Sequence, residues 1–187
     1  MRFAHSSLKA LSVQGIHHVY ITLPKINGVP VFCHWTVVFV MAVVSFLNDF
    51  KPAESLLACM AYIVLILIHE LGHLFFLQRA GLQVFAISIS GMGGACYSTV
   101  PAAKADALLV YSGGVIFQFI LFFLSLGLVS FLEEPIHFLL SPILIIFIHF
   151  NLFLILTNLF PGELPGGLQT DGKQIYNILR GNYAGDA

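Results

Sequence analysis

Four long apolar stretches, separated by short polar or glycine-rich segments, set the plan of the chain. They cover residues 35–50, 55–80, 106–131 and 136–160. An α-helix rises 1.5 Å per residue and a bilayer's hydrocarbon core is about 30 Å thick, so about 20 apolar residues suffice to cross. Each stretch is therefore expected to be a transmembrane helix. The second, with the unbroken apolar run Leu56–Ile68, would be about 39 Å long, more than a crossing needs. The first is short, so Val31–Trp35 are expected to enter the headgroup region, with Trp35 as an interfacial anchor. The fourth carries Pro142 near its start and the polar residues His149, Asn151, Thr157 and Asn158.

The periodicity changes between these stretches. In 82–100, the short runs Ala86–Ser90 and Ala95–Val100 flank Gly91–Gly94, which predicts a β-hairpin. An unpaired sheet edge is not tolerated in lipid, so the hairpin is expected at the interface or along a protein cavity. There its edge would suit an extended peptide added as a strand. Residues 1–30 are mixed and polar. The weak alternation His17–Leu23 and the turn signal Asn27-Gly28 predict a strand or hairpin on the membrane surface, with His17 and His18 exposed. Residues 161–187 begin with a proline- and glycine-rich loop. A short amphipathic helix, Lys173–Arg180, follows, with Asp171 a candidate N-cap.

Composition supports this plan. Of 187 residues, 58% are hydrophobic and 9% charged, against about 25% charged in a soluble domain. So few charges cannot coat a globular surface. The expected fold is an α-helical polytopic membrane protein of about four transmembrane helices, one membrane-embedded domain over residues 1–187 with a small membrane-associated β-hairpin or sheet. A net charge of -1 gives no hint of nucleic acid. Cys33, Cys59 and Cys96 form no CxxC pair and read as small buried hydrophobes. No apolar segment closely follows Arg2 and Lys9, so no cleavable signal peptide is expected. Arg2, Lys9, Lys25, Arg79, Lys104, Lys173 and Arg180 fall on one side of a four-helix arrangement, which places both termini in the cytoplasm.

The chemistry centres on His69-Glu70-Leu71-Gly72-His73 in the second stretch. Histidines four apart on a helix present both imidazoles to one metal, and the glutamate between them can act as base toward a metal-bound water. A catalytic zinc usually has a third protein ligand. Asp171, Glu163 and His149 are the candidates. In the third stretch, Gly113 and Gly114 mark a close helix–helix contact, and Gln118 is a candidate for an interhelical hydrogen bond or a substrate contact.

His69–His73 in an apolar helix, followed by Asn158-Leu159-Phe160-Pro161 and Asp171-Gly172, resembles the site-2 protease family of intramembrane zinc metalloproteases. Gly28-Val29-Pro30-Val31 to His34-Trp35 and Gly91–Gly94 resemble further parts of that family, over about residues 25–180. The resemblance implies one Zn²⁺ per chain held by His69, His73 and Asp171, with Glu70 as catalytic base. It implies Asn158, Gly93, Gly94 and Gln118 as active-site support or substrate contacts. It also implies a multi-pass protein of the bacterial cytoplasmic membrane that cuts transmembrane or signal-peptide-like segments, with room for a regulatory membrane partner. Two features depart from the family pattern. The stretch from Asn158 to Asp171 is longer, with an insertion around Glu163–Gly167, and Gln118 stands where many members have asparagine. An inactive membrane-segment-binding homologue and a zinc transport or binding protein are the alternative readings.

Overall fold

The computed structural model describes residues 20–47, 51–91, 93–164 and 168–183. The expectations for His17, His18 and the rest of residues 1–19 lie outside them.

The described chain opens with a hairpin of β1 (Tyr20–Ile26) and β2 (Val29–His34). Both turn residues, Asn27 and Gly28, have positive φ, which matches the twist of a tight hairpin. After helix α1 (Val37–Leu47) and the long helix α2 (Pro52–Arg79), the chain returns as β3 (Val84–Ser90) and β4 (Gly93–Ser98). β3 pairs antiparallel with β4 and parallel with β2, in register Val31↔Ile87 and Cys33↔Ile89. The two hairpins thus form one four-stranded sheet, in order β1-β2-β3-β4. A parallel pair needs a long crossover, and α1 with α2 supplies it.

Val31–Trp35, expected to lead into the first span, instead end the central strand β2 and its turn. Alternation explains the difference. Val29 and Val31 are buried in the apolar core while Pro30 between them is not, which is strand patterning rather than a helical stripe. α1 itself has 11 residues, about 16 Å by the helical rise. Residues 48–50 of the expected first span lie outside the described ones.

Among the described residues, three helical runs are long and apolar enough to cross a membrane: α2, α3 (Lys104–Val129), and Leu139–Leu159. α2 is the central one, with 56% of its apolar window buried against 39% and 28% for the others. At 28 residues it is about 42 Å long. The third run is not one regular helix as expected. It consists of α4 (Glu134–Ile145), a π-helical turn Ile146–Phe150, and α5 (Asn151–Leu159). A π turn inserts extra backbone and rotates everything beyond it relative to an unbroken helix. The chain then forms a two-strand ribbon, β5 (Glu163–Leu164) with β6 (Leu168–Gln169), and α6 (Asp171–Leu179). Thr170, not Asp171, is the N-cap of α6 and accepts from the Lys173 N–H.

Glycines decide how closely α2 and α3 approach. A Cβ on Gly72 would overlap the backbone of Gly113 and Gly114, and one on Gly113 would overlap the Gly72 carbonyl. The two backbones touch there, the small-residue packing by which helices associate in lipid.

Candidate metal centre

His69 and His73 project from α2 at this crossing, and both are buried. A Cβ on Gly114 would collide with the His69 imidazole, so the ring occupies a notch in α3 that only glycine leaves open. The outer nitrogen of each ring is held. His73 Nδ1–H donates to the Val110 carbonyl at 2.7 Å, and His69 Nδ1–H donates to Gln118 Oε1 at 3.0 Å. An imidazole that donates through Nδ1 keeps a lone pair on Nε2. The two Nε2 atoms lie 3.1 Å apart.

Asp171 closes the group from the far end of the sequence. Its Oδ2 lies 3.2 Å from His69 Nε2 and 3.3 Å from His73 Nε2. Two features of the loop bring it there. The Thr170 hydroxyl donates to the Phe160 carbonyl at 2.6 Å and accepts from the Gly162 N–H at 3.1 Å, which ties the ends of the 160–170 loop together. Gly172 then lets the first turn of α6 press on the end of α5, because a Cβ at 172 would overlap the Leu159 carbonyl. Burial alone would raise the Asp171 carboxyl. The adjacent His73 and His69 outweigh it and hold the group below the ordinary carboxylate range.

The donor set fits a metal ion. Asp171 Oδ2 is fully buried, sits close to two imidazole nitrogens and has no hydrogen-bond partner among the described residues. With both Nδ1–H groups directed outward, neutral imidazoles would point both Nε2 lone pairs at the Asp171 carboxylate oxygen. Ligand atoms about 2.0–2.1 Å from a tetrahedral zinc lie about 3.3 Å apart, close to the observed 3.1–3.3 Å. Glu70 stands beside this triangle; its carboxylate, His69 and His73 offer ligand atoms within 4.8 Å of one another. The tighter triangle contains Asp171, so His69, His73 and Asp171 could hold the ion and leave Glu70 free for proton chemistry.

Glu70 is 2% exposed, and its Oε2 has no hydrogen-bond partner among the described residues. Gly94 makes room for it, since a Cβ there would overlap the Glu70 carboxylate. A cavity of about 110 Å³ opens onto the group, lined among others by Gly93, Gly94, Gln118, Asn158 and Thr170. The sequence-predicted residues therefore gather in one place. Glu163 and His149 do not. Glu163 is exposed and pairs with Lys173 at 3.9 Å, and His149 lies on an exposed face. Asn151 is a buried neighbour of the group that ligand arithmetic missed. It is fully buried and its Nδ2 donates to the Gln118 main-chain carbonyl at 2.9 Å. Its signal in the sequence is an amide within an apolar run.

No protein-family model and no curated protein matches this sequence. Among solved structures, the site-2 protease from Methanocaldococcus jannaschii matches with a TM-score of 0.67. The match covers 89% of this chain and 74% of that one, at 24% identity. The chain thus has the fold of that intramembrane-protease structure, and its converging histidine and aspartate side chains lie within that fold.

Proposed function

We propose that this chain is an intramembrane zinc metalloendopeptidase of the site-2 protease family. The observation that carries the reading is the convergence of two imidazole nitrogens and a carboxylate oxygen inside an apolar helix bundle, with the buried Glu70 carboxylate beside them. In this reading His69, His73 and Asp171 hold one Zn²⁺. Zinc, when bound, polarises a scissile carbonyl and acidifies water. Glu70 Oε2 accepts a proton from the attacking water and returns it to the leaving amine, which is why that oxygen is left without a partner. Asn158, on the cavity wall, contacts the substrate, and Gly93 with Gly94 lets an extended segment approach Glu70.

The substrate is a transmembrane or signal-peptide-like segment that must unwind locally, because a helical peptide bond is shielded by its own turn. Exposed apolar side chains on α1, including Val38, Phe39 and Phe46, suit a lipid-facing helix. With α1 and its flanking residues as a fourth crossing, the loop charges place both termini in the cytoplasm and the metal group about 9 Å inside the Arg79 end of α2. Water reaches the site from that face, in a bacterial cytoplasmic membrane.

The test is Glu70→Gln in the full chain, purified in detergent and incubated with a single-span substrate. Cleavage is expected to vanish while zinc stays at one per chain. Cleavage that persists in this variant overturns the mechanism, and wild-type protein without stoichiometric zinc overturns the metal assignment.

A further inference from the structure

We infer that Gln118 is a positioning residue for the metal group: its amide oxygen fixes the orientation of His69, and Asn151 braces it from the third helical run. The inference rests on the metalloprotease reading above. Gln118 is 1% exposed, and its Oε1 accepts from His69 Nδ1–H at 3.0 Å. One helical turn earlier, Gly114 provides the notch in which the same ring lies. α3 therefore both makes room for His69 and catches its outer nitrogen. His73 has a main-chain acceptor, the Val110 carbonyl, which no side-chain substitution removes. His69 depends on a side chain, so its orientation is the one open to mutation.

Asn151 extends the arrangement. Its Nδ2 bond to the Gln118 main-chain carbonyl joins α5 to α3 at the level of the site. The π turn Ile146–Phe150 directly precedes Asn151. π turns are frequent at functional sites because they re-aim the residues beyond them. Without the ring–amide bond, His69 is free to rotate or to carry its proton on Nε2. Either change removes a lone pair from the triangle. Partners of this kind typically change metal affinity 10–100-fold.

The test compares zinc affinity by chelator competition, and the cobalt(II) visible spectrum, for the full chain in detergent. Gln118→Leu should weaken zinc binding by about 10–100-fold and alter the cobalt spectrum, while thermal unfolding in excess chelator is unchanged. Gln118→Met, unbranched and without the amide oxygen, should do the same, and stands in if the leucine variant does not fold. Gln118→Glu should restore affinity to near wild type, because a carboxylate can only accept and so holds the same tautomer. Zinc affinity in both Gln118→Leu and Gln118→Met within twofold of wild type overturns the inference. So does a Gln118→Glu variant as weak as either. Wild-type protein that binds no zinc refutes the metalloprotease reading instead, which separates the two failures.

Discussion

The substitution Gly172→Ala sets two physical effects against each other. Helix propensity favours alanine over glycine by up to about 1 kcal/mol within a helix, which on its own predicts a firmer α6. Packing predicts the opposite for the site. A Cβ at 172 would overlap the Leu159 carbonyl and lie 3.0 Å from the Leu159 Cα. These are backbone atoms at the end of α5, and no rotamer change clears them. The start of α6 must retreat by roughly an ångström to regain ordinary contact, and it carries Asp171 with it. Misplacing a reacting group by about 1 Å can cost about 10²-fold, or about 2.7 kcal/mol at 1.36 kcal/mol per decade. The steric effect is thus expected to win. Gly172→Ala should cleave a single-span substrate about 100-fold more slowly and bind zinc more weakly, with its unfolding midpoint little changed. Gly162→Ala is the control, because a Cβ there meets the Phe160 ring at 3.5 Å, an ordinary contact. If Gly172→Ala cleaves within threefold of wild type with unaltered zinc affinity, the close packing of α6 on α5 does not position Asp171.

Four other substitutions separate the candidate ligands and test the Thr170 tie across the loop. Among Asp171→Ala, Glu163→Ala and His149→Ala, the first alone should lose zinc, by at least about 100-fold on the precedent of a misplaced group; retained zinc in Asp171→Ala would reopen the choice of third ligand. Thr170→Val removes the α6 cap and the bond to the Phe160 carbonyl. It should lower stability by about 1 kcal/mol and weaken zinc binding, measured by thermal unfolding and chelator competition. An unchanged midpoint would mean the loop is held by other contacts.

Much of the site was legible because its signals are local. His69, Glu70 and His73 lie within one turn of one helix, so spacing alone puts the imidazoles together. Gly113 and Gly114 announced a close helix contact because only small residues permit one in lipid. The third ligand was not local. Residue chemistry favoured Asp171, placed after a helix break and before Gly172, but left Glu163 and His149 open, and the resemblance strengthened Asp171. His149 looked plausible as an ionisable group in an apolar helix. The π turn removes the regular period on which such a reading depends, leaving His149 exposed and Asn151 buried.

The sequence by itself determined that the chain is apolar enough for a membrane, that α2 carries a metal-binding pattern, and that a glycine-flanked hairpin follows it. These follow from composition and from periods of two and 3.6 residues, which neighbouring positions set among themselves. Only the tertiary structure decided that β2 joins β3 in one sheet, that Gln118 and Val110 hold the outer nitrogens of the histidines, and that Asp171 reaches them. Each of those contacts joins residues far apart in the chain. They depend on how closely two backbones approach, and Gly72, Gly114 and Gly172 set that distance through the side chains they lack.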